Sequence, residues 1–173
     1  MLSWYSGATC AGYGELNSAR FRSIANLDFT SVLDVGSGPC RLLSWLEASG
    51  RPHQYEAMDI REDALIHCRC KTHRTLPKDK TYDLVCLFGT CGFVGDKTEQ
   101  YQKSLFASLL WECIPLSKKY LVFSGIRDTV NCPYLVRYTE DEFMELVGSL
   151  PVNFTIDTRS DPAEWIAICE TQK

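Results

Sequence analysis

The stretch SVLDVGSGPCRLLSWL, Ser31 to Leu46, decides the fold. Its opening, Ser31-Val32-Leu33-Asp34-Val35, is short, β-branched and mostly apolar, the composition of a buried strand. From Arg41 to Ala48 the residues Leu42, Leu43, Trp45 and Leu46 recur at helical spacing. Gly36 and Gly38 stand between the two. A chain that turns this tightly from strand to helix needs residues without a Cβ, and the N–H groups at the start of the helix then face whatever binds there. The turn is a candidate binding loop.

The alternation continues on both sides. Phe21, Ile24 and Leu27 recur at three-residue intervals, which predicts a short helix within 18–27 with Arg20 and Arg22 outside its apolar face. Tyr55 to Ile60 reads as a second strand ending near Asp59, followed by a helix-like run over 61–70 through Ala64, Leu65 and Cys68. Tyr82 to Phe88 is the next apolar strand, Glu99 to Ile114 a helix stopped by Pro115, and Lys118 to Gly125 another strand. Thr139 with Glu142 three residues on is a capping-box pattern ahead of an apolar helix. Residues 152–158 and 164–170 close the chain as two strands around a turn containing Ser160-Asp161-Pro162. The order predicts an α/β sheet, mainly parallel, with a C-terminal antiparallel strand pair. The short stretch between the second helix and Tyr82 leaves a shortened third-strand region.

A chain of 173 residues suits one domain. Within it, residues 1–30 are expected to form an N-terminal lid or cap segment, with Trp4, Tyr5 and Tyr13 among glycines, and 31–173 the binding domain. A net charge of -4 lacks the electrostatic footprint of a general nucleic-acid binder. Arg61, Arg69, Lys71, Arg74, Lys78 and Lys80 cluster in sequence and read as a solvated face. Nine cysteines without a secretory signal pattern point to reduced thiols and a cytoplasmic location. The absence of an apolar run of about 18 residues argues against a membrane span.

In open α/β sheets ligands sit outside the carboxyl ends of the strands. Three such ends are polar or glycine-rich: Asp34 to Gly38, Asp59-Ile60, and Phe88-Gly89-Thr90-Cys91-Gly92. Asp59 follows the glycine turn by about twenty residues, the distance at which an acid at the second strand end accepts hydrogen bonds from ribose hydroxyls.

On these residues the sequence resembles the class I S-adenosylmethionine (SAM)-dependent methyltransferases. "LDVGSGPC" is similar to their first motif, "AMDI" to their second, "KTYDLVCLFGT" to the motif on their fourth strand, and "FTIDT…EWIAICE" to their final antiparallel strands. The resemblance covers roughly residues 18–173 and implies a Rossmann-like sheet with SAM as cofactor. It implies that Gly36, Ser37 and Gly38 approach the methionine part of SAM and that Asp34 acts near its amino group. Asp59 and Ile60 would serve the ribose end, Phe88 and Gly89 would lie along the cofactor, and Arg20 would pair with its carboxylate. Cys40 replaces the third glycine common in the first motif, and Asp79 is the stand-in for the acid usual after the third strand.

Methyl transfer is an in-line displacement, so alignment and exclusion of water matter more than a strong base. Acceptor residues are expected from the loops above the sheet: Thr90, Cys91, Arg127, Asp128 and the aromatic N-terminal segment. Arg127 is the candidate for orienting an anionic acceptor, and Cys91 is the other candidate catalytic residue. A small-molecule acceptor fits the acidic charge and the small size, and no Asp-Pro-Pro-Tyr type of base-handling motif follows Leu87. The alternative is a SAM-binding or fold-only protein without methyl transfer. A nicotinamide dinucleotide site ranks lower, because Arg41 stands where its third glycine is needed. "HCRCKTH", residues 67–73, invites a zinc reading, but Cys68-x-Cys70 is tighter than the usual ligand interval and no second knuckle follows, so no metal is expected.

Overall fold

The computed structural model describes residues 17–171, apart from Pro52, His67 and Gly95. Of the lid or cap segment expected from residues 1–30, the first sixteen residues lie outside the described ones. The segment that follows packs into the body of the protein: α1 (Asn17–Phe21) runs into a 3-10 turn, and Phe21, Ile24 and Phe29 are buried.

The first strand, β1 (Ser31–Val35), leads through the glycine turn into α2 (Arg41–Ala48), which buries Leu42, Leu43 and Leu46. Next come β2 (Gln54–Met58), a single helical turn α3 (Glu62–Leu65), β3 (Lys71–His73) and β4 (Tyr82–Leu87). Helix α4 (Glu99–Cys113) precedes the long β5 (Ser117–Arg127), and the two-residue β6 (Arg137–Tyr138) precedes α5 (Glu140–Gly148). The chain closes with β7 (Asn153–Asp157) and β8 (Glu164–Glu170). The eight strands form one sheet in the order β3-β2-β1-β4-β5-β8-β7, with β6 beside β5. Pairing is parallel from β3 to β5 and antiparallel where β8 meets β5 and β7. The expected fold class is the observed one.

Alternation along the strands divides the core into two layers. Leu33, Val35, Val85 and Phe123 pack with Phe106 and Leu110 of α4 and Phe143 and Val147 of α5. Val32, Leu84 and Val122 pack on the other face with Phe21 and with Leu42, Leu43 and Leu46 of α2. Burying apolar side chains on both faces of the central strands favours helices on both sides.

Two expectations need correction. The run 61–70 is helical only over Glu62–Leu65, because the chain is recruited into β3 soon after. Lys71-Thr72-His73 pairs with Glu56, Ala57 and Met58 of β2, and the buried Glu56 carboxylate accepts from His73 Nε2 at 2.7 Å, Tyr82 OH at 2.6 Å and Lys80. Burial alone would raise the Glu56 pKa, but the hydrogen bonds from Lys80, Tyr82 and His73 bring it down to about 2. The third strand therefore exists, three residues long. The thiols are not all reduced: the fold brings Cys40, at the end of the glycine turn, to Cys68, between α3 and β3, and the two form a disulfide. Cys132 is disulfide-bonded as well, whereas Cys70, Cys86, Cys91, Cys113 and Cys169 are free. No helix of the described residues is long and apolar enough to cross a membrane.

Candidate cofactor site

The carboxyl ends of β1, β2, β4 and β5 meet at one edge of the sheet, and short polar contacts join them. Gly36 N and Ser37 N both donate to Met58 O, at 2.7 and 3.1 Å, which fastens the glycine turn to the end of β2. Gly38 N donates to Asp59 Oδ2 at 3.0 Å, and Arg61 N donates to Asp59 Oδ1 at 2.9 Å. Asp59 N in turn donates to His73 O, so β3 steadies the acid. Glycine is required at Gly36 on two counts: its φ is +73°, and a Cβ there would stand 2.5 Å from Thr90 Oγ1. Thr90 is held in place by donating to Val35 O at 2.6 Å. Ser37 Oγ is buried in this turn with no hydrogen-bond partner among the described residues.

Cys40 follows as the cap of α2 in a left-handed conformation, φ 56° and ψ 43°, without a side-chain cap hydrogen bond. This is why a third glycine suits the position: a side chain there costs about 1–2 kcal/mol. Here the disulfide to Cys68 holds the residue in place.

Behind the turn lie the charged residues. Asp34 is buried, and its Oδ2 accepts from Tyr55 OH at 2.5 Å. Burial pushes its pKa up to about 7, with the nearby Asp59 raising it further and the Tyr55 hydrogen bond and Arg20 opposing the rise. Arg20, expected outside the apolar face of its helix, is instead buried, because α1 packs into the body of the protein, and its ion pair is with Glu164 at 2.7 Å, the two side chains being 3% and 0% exposed. Tyr55 and Glu164 were not expected as site residues. Tyr55 is an apolar strand position by periodicity, and Glu164 opens the last strand, far from Arg20 in sequence.

On the other side, Phe88 packs edge-on against Phe21 at 5.6 Å between ring centroids, and Gly89, with φ +70°, donates from its N to Ser124 Oγ at 3.2 Å. Cys91 ends this turn with φ 55°, and burial pushes its thiol up to about 11, so it is protonated near neutral pH. Arg127 lies at the end of β5. Its guanidinium stacks over Trp165 at 3.9 Å from the ring centroid, its Nε donates to Glu164 O at 3.1 Å, and one terminal nitrogen is buried without a hydrogen-bond partner among the described residues. Asp128 is exposed beside it. Register explains the stack, since Gly125 pairs with Trp165 across the antiparallel β5 and β8.

Ile60 is 72% exposed just past Asp59. A cavity of about 740 Å³ opens beside it, lined by Met58, Arg74, Leu76, Asp79 and Leu109 among others. Asp79, the stand-in for the acid usual after the third strand, lines this cavity just ahead of β4. Of the four residues of the zinc reading, Cys68 is bonded to Cys40, His73 is hydrogen-bonded to Glu56, Cys70 is a free thiol and His67 lies outside the described residues.

No family model matches the chain, and neither does any curated protein. Solved structures do. The methyltransferase domain of bacterial CtHen1 superposes with a TM-score of 0.67 at 14% identity, over 90% of this chain and 99% of that one. Magnesium protoporphyrin IX methyltransferase from Synechocystis PCC 6803, solved with bound SAM, gives 0.61 at 13% identity over 92% of this chain and 79% of that one. A chain of the Pnkp1/Rnl/Hen1 RNA repair complex gives 0.62 at 15% identity over 90% of this chain and 41% of that one. The glycine turn, the sheet order and these likenesses agree: the chain has the fold of the class I SAM-dependent methyltransferases.

Proposed function

We propose that the protein binds SAM and transfers its methyl group to a small-molecule acceptor. The observation that carries this reading is the direct tie between the glycine turn and the ribose-class acid, Gly38 N to Asp59 Oδ2, in a fold shared with a SAM-bound methyltransferase. The residues present fit the cofactor: Ser37 Oγ is a buried polar atom that a ligand would satisfy, and the turn offers backbone N–H groups at the start of α2. Gly36, Ser37 and Gly38 would hold the methionine part, Asp34 its amino group and Asp59 the ribose. Ile60 and the cavity beside it would take the adenine, and Phe88 with Gly89 would lie along the cofactor. Arg20 enters through its ion pair with Glu164, whose backbone carbonyl also holds Arg127. That chain of contacts joins the cofactor side of the site to the acceptor side.

Bound SAM supplies an electrophilic methyl group on a sulfonium. The protein's task is to align and dehydrate the acceptor. Arg127 is the orienting residue, with Trp165 fixing the guanidinium plane and the unpartnered nitrogen available to an anionic acceptor group. Cys91 stands in the turn after β4 as an uncharged thiol. A net charge of -4 supports a small molecule over a nucleic acid. Five free cysteines among the described residues support a cytoplasmic location.

Transfer from radiolabelled SAM to a panel of carboxylate-bearing small molecules tests the proposal. The wild type should label an acceptor, and Arg127→Met should raise the acceptor KM about tenfold or more, about 1.4 kcal/mol, while SAM affinity stays unchanged. The second reading, a SAM-binding or fold-only protein, draws on the three-residue β3 and on Cys40 in the left-handed position of the first motif's third glycine. SAM binding without label in any acceptor would favour it.

A further inference from the structure

Two ties join the glycine turn to the arm that follows β2: the Gly38–Asp59 hydrogen bond and the Cys40–Cys68 disulfide. The proposed chemistry uses the first and leaves the second unexplained. The disulfide fixes the last residue of the turn, which is left-handed without being glycine. Its other end lies on the arm carrying Asp59 and Ile60. A ribose whose hydroxyls donate to Asp59 competes with Gly38 N for that carboxylate, and the disulfide then remains as the tie between the end of the turn and that arm, beside the Gly36 and Ser37 bonds to Met58 O at its start. Without the bond, Cys40 keeps only the Cys40 N to Ser37 O hydrogen bond, the Ser44 N to Cys40 O bond and its packing to hold a backbone conformation that L-residues disfavour.

We propose that Cys40–Cys68 is a reversible thiol-modification site at which a dithiol reductant lowers the affinity for the cofactor. This rests on the SAM reading above. Cys40 is buried and Cys68 half-buried, so an incoming thiolate attacks the Cys68 sulfur. The S–S bond breaks, a mixed disulfide forms at Cys68, and Cys40 leaves as a thiolate at the positive end of α2 and then takes a proton. The second thiol of the reductant attacks the mixed disulfide, releases Cys68 and closes its own disulfide. Two electrons and two protons pass from the dithiol to the protein. Cys70, two residues from Cys68 and packed on the same cluster, does not start this exchange, because burial pushes its thiol up and keeps it protonated. By linkage, the factor by which the disulfide tightens cofactor binding is the factor by which cofactor protects the disulfide from reduction.

The test is calorimetric titration of the full chain with S-adenosylhomocysteine, air-oxidised and after dithiothreitol. Oxidised wild type should bind about fivefold tighter or more than the reduced protein. Cys68→Ser, which keeps the Cys132 disulfide, should match the reduced protein and ignore dithiothreitol. Cys40→Gly removes the bond and the strained side chain together, and should bind tighter than Cys68→Ser. Equal affinity in both redox states, or Cys68→Ser binding like oxidised wild type, would overturn the proposal while leaving the SAM reading intact. Binding in neither state would overturn both. Peptide mapping after alkylation should find Cys40 and Cys68 linked in the oxidised protein, and finding both alkylated would remove the site.

Discussion

Asp34 shows what one buried carboxyl does to a site. It sits on a central strand, 4% exposed, with Tyr55 OH on one oxygen. Burial lifts its pKa from the ordinary aspartate range to about 7, so between those values the folded protein holds a proton that the unfolded chain has released. The stability linked to Asp34 is therefore fully present below the unfolded pKa and lost as pH rises through about 7. Asp34→Asn has no such group. Its stability relative to wild type should improve by more than about 1 kcal/mol between pH 5 and pH 8, read by urea unfolding at each pH. Parallel stability profiles would show that Asp34 is ionised in the folded protein. A cationic amino group placed beside Asp34 would favour the carboxylate, which suits the role assigned to it.

At the scale of elements, β3 depends on its neighbours rather than on its own composition. Glu56 gathers His73, Lys80 and Tyr82 on the face of β2, so Glu56→Gln should destabilise the protein by about 3 kcal/mol in thermal or urea unfolding and loosen β3 first in hydrogen exchange. A loss below about 0.5 kcal/mol, within the range of ordinary surface substitutions, would mean that β3 is held by other contacts. Helix α5 is the contrasting case. Thr139 and Glu142 complete a capping box within four residues of chain, and Thr139→Ala should cost about 1 kcal/mol. Such local devices are legible in sequence: the capping box, the last strand at residues 164–170 and the strand entering the glycine turn all stand where the residue pattern puts them. Lys71-Thr72-His73 has no apolar alternation to announce a strand, and its reason for being one lies on another strand. The Cys40–Cys68 bond is similarly hidden, since its partners are 28 residues apart and meet only when the turn and the α3 arm are folded together.

For the whole molecule, the parallel strand order carries the glycine turn, Asp59 and the Phe88–Gly89 turn to one edge, and the sequence spacing already pointed to that convergence. The second half of the site was less legible. Arg20 reaches Glu164, and Arg127 reaches Trp165, through the antiparallel return of β8 beside β5, and neither pairing leaves a local signature. The site is thus a product of topology acting on residues from both ends of the described chain. At its centre, Asp59 and the glycine turn would hold SAM. Calorimetric titration of the oxidised protein with SAM and with S-adenosylhomocysteine, beside an Asp59→Ala variant of unchanged melting behaviour, tests it most directly. Saturable binding of both ligands, weakened more than about tenfold by Asp59→Ala, roughly 1.4 kcal/mol, is the predicted result. Absence of binding at about millimolar ligand, where even an affinity of about 4 kcal/mol would register, would contradict it.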